Sequence, residues 1–148
     1  MSSRATFKPS LLDRLLEEGA ESVGVEGLRD QVRRDLEDLL NVRGVRIAAP
    51  PELAELESSI LAFGLQDYAR GSGSRPQAAA RARQAILEAV RRFEPRLFDV
   101  QVTEGTEAGS ASGSTIHVTI TARLLVHPVP VSVEYRVESG ETGHVAVV

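Results

Sequence analysis

From Glu26 to Asn41 apolar residues recur at helical spacing. Leu28, Val32, Leu36, Leu39 and Leu40 fall on one stripe, and Arg29, Arg33, Arg34, Glu37 and Asp38 occupy the other side, which predicts an amphipathic helix. Arg33–Glu37 and Arg34–Asp38 stand at i, i+4, where opposite charges support a helix. Upstream, Ser10 and Asp13 mark the start of a shorter helix carrying Leu11, Leu12, Leu15 and Leu16, which Gly19 ends. After Pro50-Pro51, the spacing of Leu53, Leu56, Ile60 and Leu61 predicts another short helix ending near Gly64. Ser74 and Gln77 have capping-box spacing before the clearest helix, with Ala78, Ala82, Ala85, Ile86, Ala89, Val90 and Phe93 as its apolar stripe and Pro95 as its stop.

Beyond Pro95 the period changes to two. Phe98, Val100 and Val102 alternate with polar residues, as do Ile116 to Val126 and Val131 to Val137, and His144 to Val148 reads as a last short strand. Helices first and strands after predict an α+β fold: N-terminal helices packed on one face of a small, mainly antiparallel C-terminal sheet. Residues 1–27 read as an N-terminal segment with a short helix, made a candidate flexible segment by Gly19, Gly24 and Gly27; residues 28–148 read as one domain.

Composition narrows the chemistry. The 148 residues include no cysteine, which removes thiolate metal sites, disulfides and thiol nucleophiles. The net charge of −4 hides a basic block: residues 71–98 carry +4, whereas 1–70 and 99–148 carry −4 each. Lys8 is the only lysine, so the basic block is arginine, whose planar fork suits fixed ion pairs and interfaces. Whole-chain acidity and the lack of interleaved aromatics argue against nucleic acid as its partner. No apolar run is long enough to cross a membrane, and the start of the chain lacks the pattern of a signal peptide, so a cytoplasmic protein without membrane insertion is expected.

Catalytic patterns do not stand out. Gly71-Ser72-Gly73-Ser74 lacks the third glycine and the lysine of a phosphate loop. His117, His127 and His144 have no helical pairing, and no Gly-x-Ser-x-Gly elbow is present. Asp35, Glu37 and Asp38 lie among Arg33, Arg34 and Arg43, the pattern of a salt-bridged surface and not of a metal site. No enzyme activity, cofactor or metal is expected. One segment stands apart: Phe93-Glu94-Pro95-Arg96-Leu97 sets a rigid proline between opposite charges at the junction of helix and strand, which holds Glu94 and Arg96 in a defined relation.

Ser10 to Leu15, Asp35 to Arg43, Ser58 to Asp67 and Glu94 to Arg96, in order along residues 10–102, together resemble the TssE family of type VI secretion baseplate subunits. Ser10-Leu11-Leu12-Asp13-Arg14-Leu15 is similar to the family's opening, Asp35 to Arg43 to its DLExLLNxR helix, and Ser58 to Asp67 to its S…YGLPD segment. Glu94-Pro95-Arg96 matches the glutamate–proline–arginine motif shared with lysozyme-like baseplate wedge proteins of contractile phage tails. Val42, Phe63 and Gln66 depart from the pattern, and Phe63 lacks the phenolic oxygen of the usual tyrosine. The resemblance implies a structural wedge subunit that joins the wedge core to the contractile sheath and helps initiate sheath assembly. A wedge protein of a phage tail or extracellular injection particle is the alternative, and a muramidase-like enzyme a further one. It implies a contact between Glu94, Pro95 and Arg96 and the wedge's helical core bundle: Arg96 as bidentate donor, Glu94 as its orienter or a partner's acceptor, Pro95 as the lock. Sheath subunits are expected to bind by strand addition, at Val131 to Glu138 or at His144 to Val148.

Overall fold

The computed structural model describes residues 7–8, 14–15, 22–45, 47–66, 74–104, 117–127, 129–139 and 144–148. Helix α1 runs Val25–Asn41 and α2 Arg75–Phe93. A two-residue strand β1 (Arg43–Gly44) pairs in parallel with β2 (Leu65–Gln66). The main sheet is built from β3 (Leu97–Glu104), β4 (His117–Leu124), β5 (Val131–Ser139) and β6 (Val145–Val147), in that spatial order and antiparallel throughout. The fold is the α+β arrangement that the change of period predicts.

The amphipathic stripes do the packing. Leu28, Val32, Leu36, Leu39 and Leu40 of α1 are all buried, as are Ala82, Ile86, Ala89 and Val90 of α2. They meet the inward residues of the sheet, Val118, Ile120, Ala122 and Leu124 of β4 and Val133, Tyr135 and Val137 of β5, in one core. Helix α1 lies against β6, and α2 against β3. The Gln77 side chain accepts the Ser74 backbone N–H at 3.0 Å, completing that half of the capping box at the start of α2. Arg33 pairs with Glu37 at 3.2 Å, one turn along α1. The Ser10 helix lies mostly outside the described residues, of which only Arg14 and Leu15 are helical there. Phe7 bridges Val23 through two backbone bonds of 2.8 Å and packs against the core, and α1 starts before the expected boundary at residues 27 and 28.

Three local expectations need correction. The segment after Pro50-Pro51 forms two 3-10 pieces, Pro51–Ser58 and Ile60–Ala62, in place of an amphipathic helix. Its chain kinks at Leu53 (φ −126°, ψ 38°), and Leu53, Ile60 and Leu61 face solvent, so their spacing marks no buried stripe. In β3, Asp99 sits at φ 52° and the register to β4 shifts between Phe98 and Gln101. This bulge breaks the simple alternation: Leu97 and Val100 are buried, while Phe98 stands opposite Arg123, whose guanidinium carbon lies 5.2 Å from its ring centre. Finally, β5 is an interior strand, held by β4 on one side and β6 on the other, so Val131 to Glu138 is not an edge strand. Sequence alternation reports faces and carries no information on strand order.

Tyr135 shows what burial does to a polar group in this core. Its hydroxyl donates to the Arg29 carbonyl at 3.3 Å. Burial pushes the phenol up to about 12, with Arg29 opposing the rise and Glu94 adding to it. Between the unfolded value of roughly 10 and the folded one, only the unfolded chain ionises, so stability present below pH 10 declines as pH rises. Unfolding free energies from denaturant titrations at pH 9 to 11 should fall by roughly 1 kcal/mol per pH unit at the top of that range, and Tyr135→Phe should flatten the decline.

Candidate functional site

The Glu94-Pro95-Arg96 segment is held at both ends by backbone bonds. Glu94 closes α2, its N–H donating to the Val90 carbonyl at 2.9 Å. A residue before proline is pushed away from helical angles, and Glu94 sits at φ −119°, ψ 78°. Its own carbonyl accepts from Leu97 N–H at 3.1 Å, making the turn into β3. The Arg96 carbonyl accepts from Leu125 N–H at 2.8 Å, tying the turn to the end of β4.

The side chains then close on each other. Glu94 is only 3% exposed. Its carboxylate accepts from Arg96 Nε at 2.6 Å, from Arg96 Nη2, and from the Arg96 backbone N–H at 3.2 Å. Arg96 Nη2 also reaches Asp35 on α1, 61 residues away. Hydrogen bonding to Glu94 drives the Arg96 pKa above the usual arginine range against the cost of burial, with Asp35 adding to the rise. Arg96 therefore spends its fork within the chain, bridging the α2–β3 turn to α1. Glu94 orients it, and Pro95 stands exposed beside the pair.

Around this turn lies a cleft of about 400 Å³ lined by Asp35, Asp38, Leu39, Phe63, Phe93, Glu94, Pro95 and Arg96. Phe63 and Phe93 meet edge to face, centres 5.4 Å apart at 70°, so the ring at Phe63 serves in packing. Gly64 brings Phe63 there. At φ 116° it turns the chain so that Leu65 N–H donates to the Val42 carbonyl at 2.8 Å, joining β2 to the end of α1. Three segments singled out separately in the sequence, Asp35 to Arg43, Ser58 to Asp67 and Glu94 to Arg96, thus each contribute residues to one cleft. Asp35 and Asp38 read from sequence as solvated surface; their place on its rim was invisible because the arginine that meets Asp35 is far along the chain.

The basic block is largely occupied within the molecule. Arg83 pairs with Glu104, Arg91 donates to the Val100 carbonyl at 3.2 Å, and Arg92 lies 4.0 Å from Glu57. Among the described residues no group of three or more His, Asp or Glu side chains is placed to hold a metal ion, and no helix is long and apolar enough to cross a membrane.

The margins of the sheet also matter for a binding protein. The outer edges belong to β3 and β6. On β6, Asn41 bonds both backbone groups of Val145, and Arg33 donates to the Val147 carbonyl. β5 runs past the end of β6: its pairing with β6 covers Val137 to Ser139, with Arg136 bonded to Val148, so Val131 to Glu134 has no β6 residue opposite.

A family model described as baseplate wedge protein gp25 matches residues 26–129, from the first turn of α1 past the end of β4, and takes in every residue of the cleft. No curated protein and no solved structure matches the chain.

Proposed function

The chain belongs to the family of the baseplate wedge protein gp25, and from that premise we propose that it is a structural wedge subunit of a type VI secretion baseplate, linking the wedge core to the contractile sheath and helping to initiate sheath assembly. The family supports a structural baseplate role and, with it, binding to other baseplate components. The observation that carries the site is the convergence of three distant segments on one aromatic-lined cleft whose turn is clamped by Glu94 and Arg96. The clamp's work is to present Pro95 and the rim of Asp35 and Asp38 in one fixed shape. A rigid surface loses little conformational freedom on binding, which favours a permanent joint. The partner at this cleft is the helical core of the wedge. Sheath subunits bind by strand addition, at the outer edge of β3. The working compartment is the cytoplasm, and the arginines of α2 serve protein contacts and not nucleic acid.

Arg96→Ala would confuse contact with stability, because Glu94 would be left buried without its partner. Asp38 is the cleaner probe: it is exposed on the cleft rim. Asp38→Arg is expected to leave the thermal midpoint within a few degrees of the wild type and to weaken assembly with purified wedge subunits by at least about tenfold, the usual scale for reversing a charge in a complementary interface. Undiminished wedge assembly by the folded variant would remove the cleft from the interface.

A further inference from the structure

Strand β6 has the composition of a hazardous edge. Val145-Ala146-Val147-Val148 is short, β-branched and uncharged, with no lysine or proline to discourage another strand. Its pairing with β5 decides which backbone groups look outward. Arg136 and Val148 exchange both N–H···O bonds, at 2.8 and 2.9 Å. In an antiparallel ladder bonded and non-bonded pairs alternate, so Val147 and Val145, opposite Val137 and Ser139, turn their N–H and C=O groups away from β5.

Those outward groups are met by side chains of α1. Asn41, the last residue of the helix, accepts the Val145 N–H on Oδ1 at 2.8 Å and donates from Nδ2 to the Val145 carbonyl at 2.8 Å. A primary amide offers a donor and an acceptor at the spacing of a peptide group, so it takes the place that one residue of a neighbouring strand would occupy. The other Nδ2 hydrogen reaches back to the Glu37 carbonyl at 2.8 Å, which holds the amide in plane. Arg33, steadied by Glu37 at 3.2 Å, donates to the Val147 carbonyl at 3.1 Å. Of the four outward groups on Val145 and Val147, only the Val147 N–H has no partner among the described residues.

We propose that Asn41, with Arg33, is an edge guard that keeps β6 from pairing with a second copy of this chain. A second copy is the occupant to be excluded, because it is the one partner always present at the protein's own concentration and brings an identical valine strand. The guard blocks homotypic pairing while the rest of the sheet margin stays available. This inference rests on the bonds to β6 and not on the baseplate role, so each can fail without the other.

The test uses the whole protein. In the wild type, amide exchange followed by NMR should show the Val145 N–H at least about tenfold more protected than the Val147 N–H, since both face outward and only the first is bonded. Equal exchange at the two would overturn the proposal without any variant. Asn41→Ser removes the amide without adding apolar surface, and its hydroxyl is too short to span to β6. At low concentration Val145 should then exchange faster by at least about tenfold. On raising the concentration, the weight-average mass from sedimentation should climb above that of the wild type, while Val145 regains protection and Val147 gains it for the first time. Fast exchange at Val145 with the same mass as the wild type at every concentration would show an edge that opens without accepting a strand, and the guard role would be lost.

Discussion

Arg96→Ala should lower the unfolding free energy by about 3 kcal/mol, seen as a fall of roughly 6–12 °C in the thermal midpoint of a chain this size. The reason is Glu94. It is 3% exposed and takes both a guanidinium fork and a backbone N–H from Arg96. Removing the arginine leaves a carboxylate buried with only that weak backbone donor, and an orphaned buried charge costs more than the intact pair contributes. The same argument predicts the rescue. Replacing both partners with apolar residues of similar size, Glu94→Leu with Arg96→Met, should bring stability back to within about 1 kcal/mol of the wild type, since the desolvation of two charges disappears along with their attraction. A loss below about 0.5 kcal/mol in the single variant would mean that water reaches Glu94 freely. The double variant also separates two roles: it keeps the fold while changing the surface beside Pro95, so wedge assembly measured with it reports the contact alone.

Gly64→Ala is expected to be comparably severe, at about 3 kcal/mol or more by urea denaturation. A Cβ there would lie 2.5 Å from the Val42 carbonyl oxygen and 2.7 Å from the Gly44 nitrogen, and φ is 116°, where L side chains are strained. Both neighbours are backbone and cannot swing aside, so relief requires parting β2 from the end of α1. Gly24→Ala is the matched control: nothing lies within 4 Å of its added Cβ, and its cost should stay below about 0.5 kcal/mol. If the two variants melt alike, the close approach at Gly64 is not what holds Phe63 in the cleft.

Much of this fold is readable from periodicity because the helices and central strands pack by a single face. The stripe from Leu28 to Leu40 and the alternation from Val118 to Leu124 are each buried, and the pattern that marks them is local. Reading fails where one residue changes the count. Asp99 inserts a bulge, and Phe98, aligned with Val100 by number, lands on the other face. It fails again where an apolar segment packs nothing: Ile60 is 87% exposed despite a spacing that suits a helix. Strand order is hidden for a different reason. β5 alternates as an edge strand facing a half-buried sheet would, and only the pairing with β6 shows it to be interior. At the site, Glu94, Pro95 and Arg96 stood out because proline fixes local geometry. Asp35 and Phe63 became members of the site only through contacts with residues about 60 and 30 positions further on, which no local pattern encodes.

The bond from Leu125 N–H to the Arg96 carbonyl has a mechanical meaning. A pull on the exposed Pro95 does not stop at the turn. It passes along the chain through Arg96 into β3, and the Leu125 bond shares it with the end of β4, which is bonded along its length to β3 on one side and to β5 on the other. Tension along these strands is resisted by the ladder bonds acting together in shear, whereas a pull across the ladder peels its bonds one at a time. A pull at this turn is therefore divided between two neighbouring strands and does not fall on the outer one alone, a property suited to a structural baseplate part.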